Sequence, residues 1–546
     1  MRYKKNLILF TLFAFNMIDQ PAPEVTIEQG TLSGKVSADG SYFEYLGIPY
    51  ATSNSDTRFK APLPPPKWKG VYKAIDEMYS CPQVSFFGTV VGSEDCLKIN
   101  VYVPAYTIKP LPVMVFIHGG AFIIGSGGKL IHGPDFLVKH NVILVTFNYR
   151  LGALGFVCLG IEEAPGNAGL KDQIAALRWI QKNIAAFGGD PDNVTLFGES
   201  AGATSTSILL ASEVADGLFH KAIIQSGSSI SNWSVNRKPV LIASILAKTL
   251  GHYTEDPHEI YEVLSSISYQ ELIKLKPIKK LGKFFDTLLL HLPCIEKPLP
   301  GIEAVLTDLP YNLLNNKPKK IPVIHGTMSK EGLFLIADEN DTTLADRNQR
   351  HLFASDLDFP SEEEASRVSQ EIKEFYFGKN NVSRSNIDDL GKLYTELYFE
   401  VPTALESNIL LQSSDAAVYN YIFEYSGGRN IVKNRSGYSN VSGACHADDL
   451  FYIFKSRLWP FAAKGKDAEI IEWLTRMWTN FAKYSDPTPL SDTKMPVKWE
   501  CSKKNDLKYL YIDNTFKMGP MPNPESYRIW KDVYDKYRRM NLSYYL

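Results

Sequence analysis

The sequence has no excess of charge of either sign and no apolar run long enough to cross a membrane. Its 546 residues include 58 lysines and arginines against 60 aspartates and glutamates, a formal net charge of −2. Without a basic patch the chain is not expected to bind nucleic acid. A membrane-spanning helix needs about 20 apolar residues, so we also expect no membrane anchor.

Cysteine is scarce, and low-complexity segments and repeats are lacking. The six cysteines do not have the paired spacing of metal ligands, and we expect no metal. Cys81 and Cys96 lie close together in a loop, which favours a disulfide between them. The other four are scattered along the chain: Cys158, Cys294, Cys445 and Cys501.

The N-terminus is typical of a secretory signal. Arg2, Lys4 and Lys5 precede a short apolar run over 7–17; the alternative is a buried strand or helix. We expect residues 1–22 to be a signal peptide, the protein to be secreted, and residues 23–546 to form a single domain because no Pro/Gly/Ser linker divides them. Glycosylation sequons occur at Asn232, Asn340, Asn381, Asn434, Asn440 and Asn541.

The pattern of apolar residues predicts an α/β fold. Residues 23–50 are typical of an antiparallel β-meander, and from Leu111 onward short apolar runs alternate with helical patterns. The runs cover 113–117, 142–147, 194–197, 221–225 and 321–325; the clearest helices cover 170–187, 468–484 and 525–539. This alternation indicates a mostly parallel central sheet covered by helices on both faces. We expect the segments 232–314 and 352–413 to be helical insertions that cap the sheet.

One stretch, Gly198-Glu-Ser-Ala-Gly202, has the spacing of a nucleophile elbow. Such a serine needs a tight turn between strand and helix, where glycines avoid steric conflict, and the helix N-terminus favours developing negative charge. A chance match occurs in about one chain in five of this length. The alternative is an ordinary glycine-rich turn.

Three further segments support the elbow. Gly119 and Gly120 follow the first buried run, and their N–H groups can bind an oxyanion together with that of Ala201. Glu331 follows the fifth run and His446 lies in a later loop, which gives the order serine, acid, histidine. Taken singly, the glycines are typical of a turn and Glu331 of a solvated carboxylate. Their joint order favours a catalytic triad with Ser200.

The remaining polar residues near His446 have simpler interpretations. Asp448 and Asp449 are too close in sequence to hold the imidazole from its far side, and we expect them to cap the helix that follows. Seven other histidines are expected to be surface or packing residues: His132, His140, His220, His252, His258, His291 and His351.

These segments resemble the type-B carboxylesterases of the cholinesterase-like α/β-hydrolase family. The resemblance spans about 25–537 and is carried by residues 94–100, 118–122, 148–152, 166–173, 197–202 and 225–227 and by the Glu331 and His446 loops. The His446 loop is similar to that of secreted insect esterases of the antennal or general type. The resemblance implies an α/β-hydrolase fold, the Ser200-Glu331-His446 triad, an oxyanion hole at Gly119, Gly120 and Ala201, a Cys81–Cys96 disulfide, and Glu199 and Ser226 behind the histidine.

The implied activity is hydrolysis of small to medium apolar carboxylic esters through an acyl-serine, without a cofactor, by a monomer or weak homo-oligomer. Alternatives are a juvenile-hormone-type esterase, which usually has Gln at the position of Glu199, and a slow esterase that sequesters its ligand. A more remote alternative is a non-catalytic adhesion protein, a class that loses part of the triad.

Departures from the family pattern narrow the range of possible substrates. Residues 82–95 contain Phe86 and Phe87 but no tryptophan, so no indole can bind a quaternary ammonium there, and choline esters are poor candidates. A second family disulfide has no evident partners. Phe122, Trp233 and Phe284 are suggestions for the acyl pocket, although each taken singly is more typical of a core residue.

Overall fold

The computed structural model describes residues 20–542 and 545, except 78, 86–87, 107–109, 276–289, 318 and 354–355. Most of the expected signal peptide, together with Phe86, Phe87 and Phe284, therefore lies outside the described residues. Within them, no helix is both long enough and apolar enough to cross a membrane.

The strands form one large sheet and a separate hairpin. They are β1 (Pro21–Ile27), β2 (Gly30–Val36), β3 (Tyr42–Pro49), β4 (Val71–Lys73), β5 (Gln83–Val84), β6 (Val90–Val91), β7 (Lys98–Pro104), β8 (Leu111–Ile117), β9 (Ile143–Phe147), β10 (Gly189–Glu199), β11 (Lys221–Gln225), β12 (Val323–Met328), β13 (Val418–Phe423), β14 (Lys508–Ile512) and β15 (Phe516–Pro520). The sheet order is β1-β2-β3-β7-β9-β8-β10-β11-β12-β13-β14-β15, with β4 beside β2 and β5 paired with β6.

Neighbours from β9 to β14 are parallel, whereas β1, β2, β3 and β7 pair antiparallel with their neighbours along the sheet and β15 pairs antiparallel with β14. The predicted parallel sheet and N-terminal meander are confirmed. β9 lies on one side of β8 and β10 on the other, so the strand order reverses at β8. In open α/β sheets, ligands bind at such a switch point, beyond the carboxyl ends of the strands.

The helices cover both faces of this sheet, as predicted. They are α1 (Asp135–Val138), α2 (Gly152–Phe156), α3 (Ala168–Asn183), α4 (Ala201–Ala211), α5 (Pro239–Thr249), α6 (Pro257–Ser266), α7 (Tyr269–Lys274), α8 (Pro310–Asn316), α9 (Leu333–Ile336), α10 (Asp341–Gln349), α11 (Glu362–Phe377), α12 (Ile387–Thr395), α13 (Val401–Ser413), α14 (Ile431–Arg435), α15 (Leu450–Ile453), α16 (Gly465–Tyr484) and α17 (Pro524–Tyr537). A π-helical turn, Glu396–Glu400, joins α12 to α13.

The helix predicted over 170–187 is α3 followed by a 3₁₀ turn, and it ends at Gly188, which adopts φ 82°. α16 and α17 confirm the two predicted C-terminal helices. Helices α5 to α7 follow β11 and helices α9 to α13 follow β12, so both predicted insertions are helical.

Two disulfides are present. Cys81 bonds to Cys96, as the resemblance implied, and Cys158 bonds to Cys294 across 136 residues of sequence. The expectation that a second disulfide lacks partners is therefore wrong. The distance between the two cysteines in the sequence does not indicate that they pair. The disulfide also needs a glycine at position 166, because a Cβ atom there would lie 2.6 Å from both sulfur atoms.

Candidate active site

Ser200 lies in a strained turn between β10 and α4. Its φ of 56° and ψ of −121° fall outside the regions that most residues adopt. A Cβ atom on Gly198 would come within 2.4 Å of the Gly202 carbonyl, and one on Gly202 within 2.0 Å of the Ile117 carbonyl oxygen. Only glycine fits at these two positions, so the spacing in the sequence is a steric requirement of the turn.

The glycine loop after β8 lies directly against this turn. A Cβ atom on Gly119 would be 2.7 Å from the Glu199 carbonyl oxygen and 3.1 Å from the Ser200 Cβ, and Gly120 has φ 110°. Ala201 is the first residue of α4, where an N–H group has no acceptor within the helix. The three predicted oxyanion donors thus belong to two segments that meet at Ser200.

His118 supports the glycine loop from behind. Its ring stacks on Tyr149 at 4.5 Å between centroids, and the Tyr149 hydroxyl donates to the His118 carbonyl at 2.9 Å. Burial lowers the pKa of His118 to about 4. The imidazole is therefore neutral at physiological pH and serves as a packing group.

The structure brings Ser200, Glu331 and His446 together from three distant parts of the chain. The His446 Nε2 lies 2.9 Å from the Ser200 Oγ, and its Nδ1 lies 2.6 Å from the Glu331 Oε2. The other Glu331 oxygen accepts the Met328 N–H at 2.8 Å. With Nδ1–H donating to the carboxylate, Nε2 is left as the acceptor for the serine proton.

A second carboxylate faces the same imidazole. The Glu199 Oε1 lies 3.3 Å from the His446 Nε2. Burial by itself lowers the pKa of His446, but Glu199 and Glu331 outweigh it and raise that pKa to about 9. Burial also raises the pKa of Glu199 to about 8, and the charge of His446 opposes this rise. The two shifts are linked, because a protonated Glu199 no longer stabilises an imidazolium.

Aromatic rings cover the histidine. Phe334 stacks on His446 with centroids 4.8 Å apart, and Phe399 of the π-helical turn lies 4.9 Å away. Trp233 contacts Phe399 at 5.8 Å, so it lies one ring away from His446. Phe122 packs against Phe156 in the core at 4.9 Å.

Sequence reasoning did not find Phe334 and Phe399. The available signal for Phe334 was its position one helical turn after Glu331. Phe399 had no comparable signal.

Asp448 and Asp449 do not cap the following helix, contrary to prediction. Asp448 accepts the backbone N–H groups of Cys445 and Val432 at 2.8 and 3.0 Å. Asp449 accepts the Gln225 amide at 2.7 Å and the Tyr421 hydroxyl at 3.1 Å, and its side chain makes no cap hydrogen bond to α15. Both carboxylates fix the His446 loop to the body of the protein from inside.

Ser226 follows β11 and is fully buried with φ 56°. No partner of its Oγ is found among the described residues.

The predicted glycosylation sequons differ in accessibility. Four of the asparagines are exposed: Asn381, Asn434, Asn440 and Asn541. Asn232 and Asn340 are half-buried, and the Asn340 side chain caps α10 through the N–H groups of Thr342 and Thr343.

A parallel sheet with a serine on a strained turn at its switch point defines the α/β-hydrolase class. Comparison with known proteins defines the family. The carboxylesterase family profile matches residues 21–530, and the chain belongs to this family.

Two curated insect relatives and one solved structure illustrate the similarity. Esterase FE4 of Myzus persicae is 33% identical over 522 residues, which cover 90% of each chain. Juvenile hormone esterase of Heliothis virescens is 32% identical over 506 residues, covering 87% of this chain and 86% of that relative. The crystal structure of juvenile hormone esterase from Manduca sexta, with OTFP covalently attached, has a TM-score of 0.83 at 30% identity and covers 94% of this chain and 100% of that one.

Proposed function

We propose that this carboxylic ester hydrolase works through an acyl-serine intermediate on Ser200. The observation that carries the proposal is the pair of short contacts of one imidazole, 2.9 Å to the Ser200 Oγ and 2.6 Å to the Glu331 carboxylate. A serine hydroxyl is a weak nucleophile unless an adjacent base takes its proton, and the base needs a third group to fix its orientation.

In the first half-reaction the Ser200 oxygen attacks the ester carbonyl carbon while His446 takes the serine proton at Nε2. Glu331 holds Nδ1–H and stabilises the imidazolium. The carbonyl oxygen becomes an oxyanion that the N–H groups of Gly119, Gly120 and Ala201 bind; each such donor contributes about 3 kcal/mol to the transition state. His446 then gives its proton to the leaving alcohol, and the acyl group remains on Ser200.

In the second half-reaction a water molecule takes the place of the alcohol. His446 removes a proton from the water, its oxygen attacks the acyl carbon, and the same N–H groups bind the new oxyanion. When this tetrahedral intermediate collapses, His446 returns the proton to the Ser200 oxygen and the carboxylic acid is released. The aromatic rings of Phe334, Phe399 and Trp233 form an apolar wall on one side of His446, which favours small to medium apolar esters.

Juvenile-hormone-type turnover is the second candidate function. The similarity to juvenile hormone esterases in sequence and structure supports it. Glu199, at a position where that class usually has Gln, argues against it. The third candidate function is slow turnover of an ester that the protein mainly sequesters.

A combined turnover and labelling experiment tests these functions. The wild-type protein and the Ser200→Ala variant are mixed with a naphthyl ester and with a phosphonylating reagent. We expect steady turnover and a single label on Ser200 in the wild type, and neither in the variant. Absence of both from the wild type would contradict the proposal, and a burst without steady turnover would favour sequestration. A panel of acyl and alcohol chains, including a juvenile-hormone-like methyl ester, then ranks the substrates.

We also propose that residues 23–546 act as one domain, to which Pro21 and Ala22 of β1 also belong. The protein is secreted after removal of an N-terminal signal peptide that ends before this strand. Support comes from a single sheet that takes strands from β1 to β15 and from two disulfides, which persist in oxidising compartments. Glycans are proposed on the exposed asparagines. The proposed state is a monomer or weak homo-oligomer that binds small-molecule esters and neither nucleic acid nor membrane.

A further inference from the structure

A groove of about 440 Å³ lies between α8, α13 and α17, and the proposed ester chemistry does not use it. Leu405 and Ile409, one turn apart on α13, form part of its apolar wall, and α17 contributes Tyr527 and Tyr534. Its volume falls in the range of pockets that hold small organic ligands, about 300 to 1,000 Å³. The groove is therefore large enough for an extended hydrocarbon chain.

Arg538 lines this groove, and its guanidinium packs on two aromatic rings. Its central carbon lies 4.3 Å from the ring centroid of Tyr534 and 4.7 Å from that of Tyr311. Neighbouring cations have acidic partners: Arg539 pairs with Asp358 at 3.4 Å, and Lys531 pairs with Asp535. For Arg538, no carboxylate oxygen in the described part of the chain lies within 4.0 Å.

Two residues that line the same cavities as Arg538 carry buried hydroxyl groups without described partners. The Tyr534 hydroxyl is buried and finds no hydrogen bond partner among the residues that the structure describes. Arg538 also lines a smaller adjoining cavity of about 40 Å³. There the Oγ of Ser229, a residue only 1% exposed, lacks a described partner as well. A cation fixed in one plane, in cavities that also hold unused hydroxyl groups, is suited to a planar anion.

The acidic groups nearby do not cancel this cation. Asp535 is neutralised by Lys531, and Asp356 lies 4.0 Å from Arg237. Asp506 belongs to the exposed loop that closes the groove. A ligand with one negative charge and an otherwise apolar body matches this distribution better than a phosphate, which calls for several cations.

We propose that the groove binds the carboxylate form of a medium- or long-chain fatty acid. The carboxylate accepts from the Arg538 guanidinium, and the chain lies along Leu405, Ile409 and Tyr527. Such an acid has two sources, the product of ester hydrolysis and free acid from outside. The binding itself rests on the groove residues alone and does not depend on the proposed function.

Photolabelling locates the site. Dodecanoic acid with a chain diazirine is added to the purified protein, irradiated, and the labelled peptides are read by mass spectrometry. We expect labels in α13 and α17, protection by excess dodecanoate, and no protection by dodecanol at the same concentration. Labels confined to other parts of the protein, or equal protection by acid and alcohol, would overturn the proposal.

Calorimetry measures the part played by the charge. The Arg538→Gln variant should bind dodecanoate at least about tenfold more weakly, because a hydrogen bond to a charged group is lost. Arg538→Lys should recover part of this loss, and Lys536→Gln, an exposed cation on the same helix, should bind as the wild type does. Wild-type affinity in Arg538→Gln, at an unchanged melting temperature, would refute the role of Arg538.

A second arm distinguishes the two sources of the acid. The diazirine acid is supplied as its naphthyl ester to the wild type and to Ser200→Ala, and we expect hydrolysis to raise the label in the groove of the wild type above that in the variant. This arm fails if the proposed function fails, whereas labelling by the free acid is unaffected.

Discussion

The turns after β10 and β11 share a positive φ angle at their serine and differ in chemistry. The two strands are parallel neighbours in which Glu199 pairs with Gln225, and each is followed by a serine with φ 56°. Ser200 has its Oγ 2.9 Å from an imidazole. Ser226 is buried, and no partner of its Oγ is found among the described residues. Backbone strain at the end of a strand is therefore not sufficient to make a nucleophile.

The difference lies in what faces each hydroxyl. Ser200 has the His446 ring on one side and the Gly119 loop on the other, and it begins α4. The turn of Ser226 packs closely on the Ser200 turn, since a Cβ atom on its neighbour Gly227 would lie 2.6 Å from the Ser200 carbonyl oxygen. The second turn packs beneath the first and supports it.

The sharpest test of this comparison is to remove each hydroxyl in turn. We expect Ser200→Ala to lower kcat about 10⁴-fold or more, because the nucleophile is lost. Ser226→Ala should change kcat by less than about tenfold, since removing a buried hydroxyl that makes no hydrogen bond costs little. Steady-state hydrolysis of a naphthyl ester measures both, and similar losses in the two variants would contradict the distinction.

Glu331 orients the imidazole that contacts Ser200, and among the described residues no such pair contacts the Ser226 hydroxyl. Glu331→Gln should lower kcat about 10³- to 10⁴-fold, because the amide favours the wrong imidazole tautomer and leaves the imidazolium without its counter-charge. The matched change is Asp449→Asn in the His446 loop, at the buried carboxylate that accepts the Gln225 amide next to the second turn. We expect it to cost less than about tenfold in the same assay, and a larger loss than that of Glu331→Gln would reverse the assignment.

The glycine loop after β8 lies against the first turn. A Cβ atom on Gly119 conflicts with the Glu199 carbonyl at 2.7 Å, so Gly119→Ala should displace the oxyanion donors and lower kcat about 10²- to 10³-fold. A control is Gly128→Ala, whose nearest neighbour would lie at an ordinary 3.5 Å. Rates with a naphthyl ester compare the two; equal rates would remove Gly119 from the oxyanion hole.

The smallest expected effect is a change in pH dependence. Above its own pKa of about 8, Glu199 carries a negative charge 3.3 Å from the His446 Nε2. Glu199→Gln removes this charge and therefore lowers the pKa of His446 from its raised value of about 9. A base with a lower pKa stays neutral at lower pH, so the acid limb of kcat/KM should move to lower pH. Glu162→Gln, at an exposed position, should leave the limb in place, and a shift to higher pH in Glu199→Gln would contradict this electrostatic account.

The parallel strands were predictable because burial on both faces requires continuous apolar runs. The fifth run shows the limit of this rule: it was predicted over 321–325, whereas β12 is Val323–Met328, beginning just after Pro322, a residue without an N–H for the ladder. β13 was missed because Asn420 interrupts its apolar pattern. That amide bonds to the hydroxyls of Ser407 and Ser502 at 2.7 and 2.9 Å, and such partners are not visible in the sequence.

In the candidate site, too, some residues were predictable from the sequence and others were not. Ser200, Glu331 and His446 were predictable because each follows a recognisable segment in a fixed order. The roles of Asp448 and Asp449 were not, because apart from the Cys445 N–H their hydrogen bond partners come from other elements, β11, β13 and α14. The contact of Phe399 with His446 likewise depends on a π-helical turn that no local sequence pattern predicts.

The Cys158–Cys294 bond has a topological consequence for the whole enzyme. It closes a covalent ring of chain that contains Ser200, while Glu331 and His446 belong to the open tail beyond it. A protease that cuts at Tyr253, a tyrosine 79% exposed inside the ring, would leave two polypeptides, one with the serine and one with its base and acid, still joined by sulfur. Such a nicked enzyme should migrate as one species until a reductant is added, and only then release two fragments.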